Sequence, residues 1–147
     1  MKREIKFRGK RTKTERFVYG YYMYTFDICY NSQGYDDVPP RVHYIFDARG
    51  NFYEVDPETV GQDSGLKDRN GKEIYEGDIV RYPDAYMNGV DGDWDEVTCV
   101  GEIKWDDDQA QFYVTNRESI DNEDFWEAID EAEVIGNRWD NPDLLEG

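Results

Sequence analysis

The sequence predicts a mainly β protein, and three features carry that prediction. Segments of alternating apolar and polar residues recur along the chain, rich in the Tyr, Phe, Val, Ile and Thr that fit a pleated, half-buried surface. Clusters of Gly, Asn, Asp and Pro interrupt them at short intervals, which leaves room for strands but not for a succession of long helices. Twelve Tyr, seven Phe and four Trp in 147 residues offset a hydrophobic share of only 38%, so a disordered chain is excluded and an aromatic core is expected.

The elements follow in order. EIKFRGK alternates Ile5 and Phe7 with charged neighbours, as a half-buried strand does, and FVYGYYMYTFDICY continues the pattern with Gly20 as a bulge or close-approach point. NSQGYDDVPP reads as a loop, RVHYIFD as a third strand, and DARGN as a tight connection to a fourth, FYEV. From Val55 to Tyr82 the glycines 61, 65, 71 and 77 and Pro57 admit only short elements, with turns at Arg69-Asn70-Gly71 and Glu76-Gly77-Asp78 before the apolar run 79–82. PDAYMNGVDGDWDE reads as an exposed acidic loop. EVTCVGEIKW and QAQFYVT read as two strands joined by DDDQ. Phe125, Ile129 and Ala132, with Trp126 beside them, predict one short helix near 121–132. AEVIGNRW returns to a strand, and Pro142 is placed to start a last helical turn.

A chain of this length forms one domain or a close pair of subdomains and buries roughly two thirds of its unfolded surface. Cys29 and Cys99, seventy residues apart and without a Cys-x-x-Cys or a histidine-rich neighbour, indicate neither a disulfide framework nor a zinc site. No apolar run approaches the roughly 18 residues of a membrane span, so a cytoplasmic protein without a membrane partner is expected. The net charge of −17 is unevenly spread: residues 1–16 sum to +6, 17–82 to −6 and 83–147 to −17. Such a field repels nucleic acid and attracts basic protein surfaces. The cations from Lys2 to Arg16 are expected to meet acidic residues of the same or a neighbouring subunit, which favours oligomers.

VGQDSGLKDRNGKEIYEGDIV, residues 60–80, resembles the signature of the YopX family, small proteins encoded by bacteriophages and prophages. FVYGYY at 17–22, FYEVDPETVGQ at 52–62, VGEIKWD at 100–106 and EVIGNRWDNPDLL at 133–145 extend the resemblance over nearly the whole chain, with departures in 31–40 and 83–96. The resemblance implies a phage or prophage origin, a C-terminal small SH3-like β-barrel and a homo-oligomer, and it supplies no catalytic residues. The expected architecture is an N-terminal β part, 1–65, packed on a C-terminal barrel part, 66–147. Within the signature itself, the glycines and Asn70 permit turn conformations, and Leu66, Ile74, Ile79 and Val80 are apolar anchors, so turn geometry accounts for most of it.

Few constellations carry chemistry. Cys29 and the single histidine, His43, are the one conceivable thiolate–imidazole pair, but both lie in tyrosine-rich strands where a buried cysteine and a hydrogen-bonded histidine are ordinary. Asp91, Asp93 and Asp95, with Glu102 twelfth from Asp91, follow calcium-loop spacing, yet the sixth position is Glu96 where glycine is required, so no metal is assigned. Asp106, Asp107 and Asp108 form a hairpin tip, and Glu123 and Glu127 load the expected helix beside Phe125 and Trp126. With Trp94, these residues are the candidates for an acidic surface bearing apolar anchors. The expected function is therefore non-enzymatic and cofactor-free: an interaction protein acting on a host or phage protein with a basic surface. The alternative is an oligomer that sequesters a nucleotide-like small molecule in a cleft of Tyr19–Tyr30 tyrosines and N-terminal cations.

Overall fold

In the computed structural model, which describes residues 4–27, 31, 34, 38–87, 92, 94–116 and 129–146, backbone pairing is almost entirely antiparallel β. The chain divides into two units, Met1–Gln62 and Asp63–Gly147. Ten bases stand against nine acids in the first, and seven bases against twenty-five acids in the second, so the acidity belongs to one unit. Among the described residues no helix is long and apolar enough to cross a membrane.

The first unit contains β1 (Phe7–Lys10), β2 (Phe17–Phe26), β3 (Arg41–Phe46), β4 (Phe52–Glu54) and the start of β5 (Gly61–Lys67), in the order β4-β3-β2-β1-β5. The DARGN connection forms as its composition predicts: the Asp47 carboxylate accepts from the N–H groups of Arg49 and Asn51 at 2.9 and 3.0 Å, and Gly50 takes φ +85°. After β4 the chain returns to β1. Val55 bridges Arg11, the Thr12 N–H donates to the Glu54 carbonyl, and the Asp56 N–H donates to the Lys10 carbonyl.

The expected aromatic core is not what forms here. The fully buried side chains of the first unit are aliphatic, Ile45 and Val55, while Tyr19, Tyr21, Tyr24, Phe26 and Phe52 are exposed. Pairing explains the outcome. Register sets Tyr22 beside Ile45 and Tyr24 beside His43 on one face, and Tyr21 beside Phe46 and Met23 beside Tyr44 on the other, so β2 presents rings to both sides. The rings gain cross-strand contacts instead of burial: Tyr22 lies parallel to His43 at 5.8 Å, and the Arg41 guanidinium sits 4.7 Å from the Tyr24 ring centre. The N-terminal cations also find rings, with Arg8 and Lys10 over Phe17 and Arg11 over Tyr53.

The second unit holds the rest of β5, paired with β6 (Glu73–Tyr75), and a four-stranded sheet of order β10-β7-β8-β9. Its strands are β7 (Asp78–Met87), β8 (Trp94–Asp106), β9 (Gln111–Val114) and β10 (Glu133–Asn137). Among the described residues no ladder joins β9 to β10. Ile74, Val80, Tyr82, Cys99, Ile103, Val114 and Ala132 make the core. Burying each aliphatic side chain contributes about 1.5–3 kcal/mol.

Two expectations change in this unit. The segment 83–96 is not all loop, because β7 runs through Met87 and β8 starts at Trp94, with Pro83 paired to Thr98. Pro83 is tolerated because β10 pairs β7 only from Asp78 to Arg81, which leaves that side of β7 without a ladder at the proline. Of the helix expected at 121–132, Ile129–Glu131 form a single 3₁₀ turn, and residues 121–128 lie outside the described residues. The last turn starts at Pro142 as predicted.

The signature region is a set of buried carboxylates bonded to backbone. Asp68 accepts from the N–H groups of Asn70, Lys72 and Val134 at 2.8–2.9 Å. Asp78 accepts from Tyr75 N–H at 2.9 Å, and Asp63 from Gly65 N–H at 2.9 Å. Asp63, Asp68 and Asp78 are all buried. Their lone pairs satisfy turn donors that the strands leave unpaired, so the signature reads as scaffold. Leu66, expected as an anchor, is exposed.

Candidate functional site

The β8–β9 hairpin tip is where charge and an apolar side chain meet. Asp106 ends β8 opposite Gln111, and residues 107–110 turn the chain, with Ala110 at φ +52°. Asp106 has a structural task, its Oδ1 accepting from the N–H groups of Asp108 and Gln109 at 2.9 and 3.3 Å. Asp107 and Asp108 are exposed, and neither has an ion-pair partner among the described residues.

Just before the tip, Trp105 pairs with Phe112, ring centres 4.9 Å apart and edge-on. Alternation puts Trp105 on the same face as the fully buried Ile103, so the ring pair continues the core row to its solvent end. Trp105 remains 39% exposed there. An exposed indole beside unpaired carboxylates suits a segment carrying Lys or Arg, which gains ion pairs with the acids and a cation–π contact with the ring.

Of the expected site residues that are described, Trp94 lies apart from Asp106, Asp107 and Asp108. Trp94 begins β8 and Asp106 ends it, roughly 35–40 Å apart at strand rise. Glu123, Phe125, Trp126 and Glu127 lie outside the described residues, as do Asp91, Asp93 and Cys29. Of the residues at calcium-loop spacing, Asp95 and Glu102 both lie in β8, seven residues and about 23 Å apart along the strand. Glu102 is buried, with the Arg138 guanidinium 3.6 Å away.

His43 behaves as an engaged side chain. Its Nδ1 lies 2.6 Å from the Tyr22 hydroxyl, and burial, with Tyr24 nearby, raises the Tyr22 phenol above its ordinary value. The β2 tyrosines expected to line a cleft divide between the two faces of the sheet. Trp105 was not among the expected anchors. Its signal is the aromatic directly preceding three aspartates in IKWDDDQ, at the end of a strand and next to a hairpin connection.

The family model described as YopX protein matches residues 6–146. A crystal structure of protein EF1440 from Enterococcus faecalis is similar in fold, with 24% identity, a TM-score of 0.51, and coverage of 97% of this chain and 98% of that one. No curated protein matches the chain.

Proposed function

The chain belongs to the YopX family, and from that premise we propose that it is a non-enzymatic interaction protein of phage or prophage origin. It acts in the bacterial cytoplasm on a host or phage protein that presents a basic surface. The observation that carries this reading is the half-exposed Trp105 next to Asp107 and Asp108, in a unit with an excess of eighteen negative charges. Buried aromatic anchors ringed by charge dominate many protein interfaces, and complementary fields speed encounter. The uneven charge of the chain also supports an oligomer.

Capture from a bacterial lysate tests the reading. The tagged protein is expected to retain a specific partner at low salt, with recovery falling severalfold near 0.5 M salt as the charges are screened. The double variant D107N/D108N changes only exposed side chains at the tip, so its melting temperature should stay close to wild type while recovery drops at least tenfold, about 1.4 kcal/mol. Equal recovery by wild type and variant at matched stability would refute a role for the tip.

A further inference from the structure

We infer that the first unit binds a small anion with a planar ring, of nucleoside-monophosphate size, in a cleft between the β1–β2 turn and the β3–β4 hairpin. The cleft has a volume of about 210 Å³ and is lined by Arg11, Lys13, Tyr44, Phe52, Tyr53 and Glu54 among others. It belongs to the first unit, whereas the β8–β9 tip belongs to the second, and it does not depend on the proposal made for that tip.

The walls are held in place before any ligand arrives. The Arg11 N–H donates to the Arg16 carbonyl and the Glu15 N–H to the Arg11 carbonyl, both at 2.9 Å, which closes the turn. Thr12 then fastens it to β4 through two bonds, N–H to the Glu54 carbonyl and hydroxyl to Glu54 Oε2 at 2.9 Å. The ring wall is equally fixed. Phe52 meets Tyr44 edge-on at 5.7 Å and Phe46 at 5.6 Å, yet is itself 61% exposed. A planar ring stacking on Phe52 gains contact without disturbing either neighbour.

The charges select the other half of the ligand. Neither Arg11 nor Lys13 has an ion-pair partner among the described residues, and Arg11 sits 4.6 Å from the Tyr53 ring centre. With Glu54 on the same wall the lining sums to one positive charge, enough for a single phosphate but not for a polyphosphate chain. The chain's net charge of −17 likewise opposes a nucleic-acid strand, whose affinity rests on neutralising many phosphates. A cleft below the usual range of roughly 300–1,000 Å³ holds ring and phosphate with the rest in water, so weak binding is expected.

Titration of the isotope-labelled full chain, followed by amide chemical shifts, tests the assignment with AMP and UMP as probes. Saturable shifts are expected at Arg11, Lys13, Phe52 and Tyr53, with at least fivefold weaker binding of adenosine and uridine. R11Q/K13Q and F52A alter exposed or half-exposed side chains and should each weaken binding severalfold while leaving the rest of the spectrum in place. No saturable shift up to 10 mM, or equal affinity in R11Q/K13Q, overturns the proposal. Tighter binding of a ten-residue oligothymidylate than of the mononucleotide at the same salt overturns it in favour of a strand-binding surface.

Discussion

Replacing Asp68 by alanine is expected to lower the stability of the second unit by about 3 kcal/mol. One buried carboxylate accepts from three backbone N–H groups, and one of them, on Val134, lies 66 residues away at the start of β10. Hydrogen bonds to a charged acceptor contribute about 1.5–3 kcal/mol each, and water offsets part of that loss at the exposed Asn70 and Lys72. Because Arg69 N–H also donates to the Ala132 carbonyl, loss of Asp68 frees the turn and the entry to β10 together. D68N keeps an acceptor oxygen but turns an amide toward one of the donors, so it should fall between wild type and D68A. Urea denaturation followed by far-UV circular dichroism reads the order.

The same residue gives a pH dependence of known sign. Burial works to raise the Asp68 carboxyl, but the N–H groups of Val134, Lys72 and Asn70, with the nearby Lys72 ammonium, outweigh it and hold it below its ordinary value. A carboxyl depressed by folding contributes stability that is present above its unfolded value, about 4. That contribution disappears as pH falls through the lower native value. Wild-type stability should therefore decline below about pH 4, and the decline should be shallower in D68A.

Gly20→Ala is expected to disrupt the first unit to a similar extent, by about 3 kcal/mol. A Cβ at residue 20 would lie 1.6 Å from the Phe46 carbonyl oxygen and 2.6 Å from its carbon. Both are backbone atoms, so relief requires β2 and β3 to separate at Tyr21–Phe46, where their ladder begins. Gly50→Ala is the control. It takes φ +85° but has nothing within 4 Å of the added carbon, so its cost should stay near 1 kcal/mol. Thermal unfolding of the two variants should separate them by several degrees.

Strand positions were legible because their signal is local. Alternation located β1, β3, β4, β8, β9 and β10, and the DARGN composition marked the β3–β4 turn. Gly20 was legible as a close approach for the same reason, a glycine interrupting a ring-rich strand. What failed depends on partners distant in sequence. Pro83 looked like a loop because nothing nearby tells that β10 stops pairing at Arg81. Asp68 carried no signal beside the Arg69-Asn70-Gly71 turn, since its bond to Val134 exists only once β10 has docked.

The aromatic content misled for a related reason. Rings were assigned to a core by their area, whereas β2 presents rings to both faces of the sheet and leaves Tyr19, Tyr21 and Tyr24 at the surface. At the tip, the three aspartates were legible as a hairpin connection, but the exposure of Trp105 follows from where the β8–β9 ladder ends, at Asp106 and Gln111. Composition names the residues available for a site. Register decides which of them reach solvent.

The central claim, that the acidic hairpin tip engages a protein partner, is tested most directly by site-specific photo-crosslinking in bacteria. A photoreactive side chain replaces Gln109 at the tip in one strain and Glu58, exposed in the first unit, in another. The account predicts a discrete crosslinked species from position 109 that disappears in the W105A background, and none from position 58. A product from position 58 alone, or one from 109 unchanged by W105A, would contradict it.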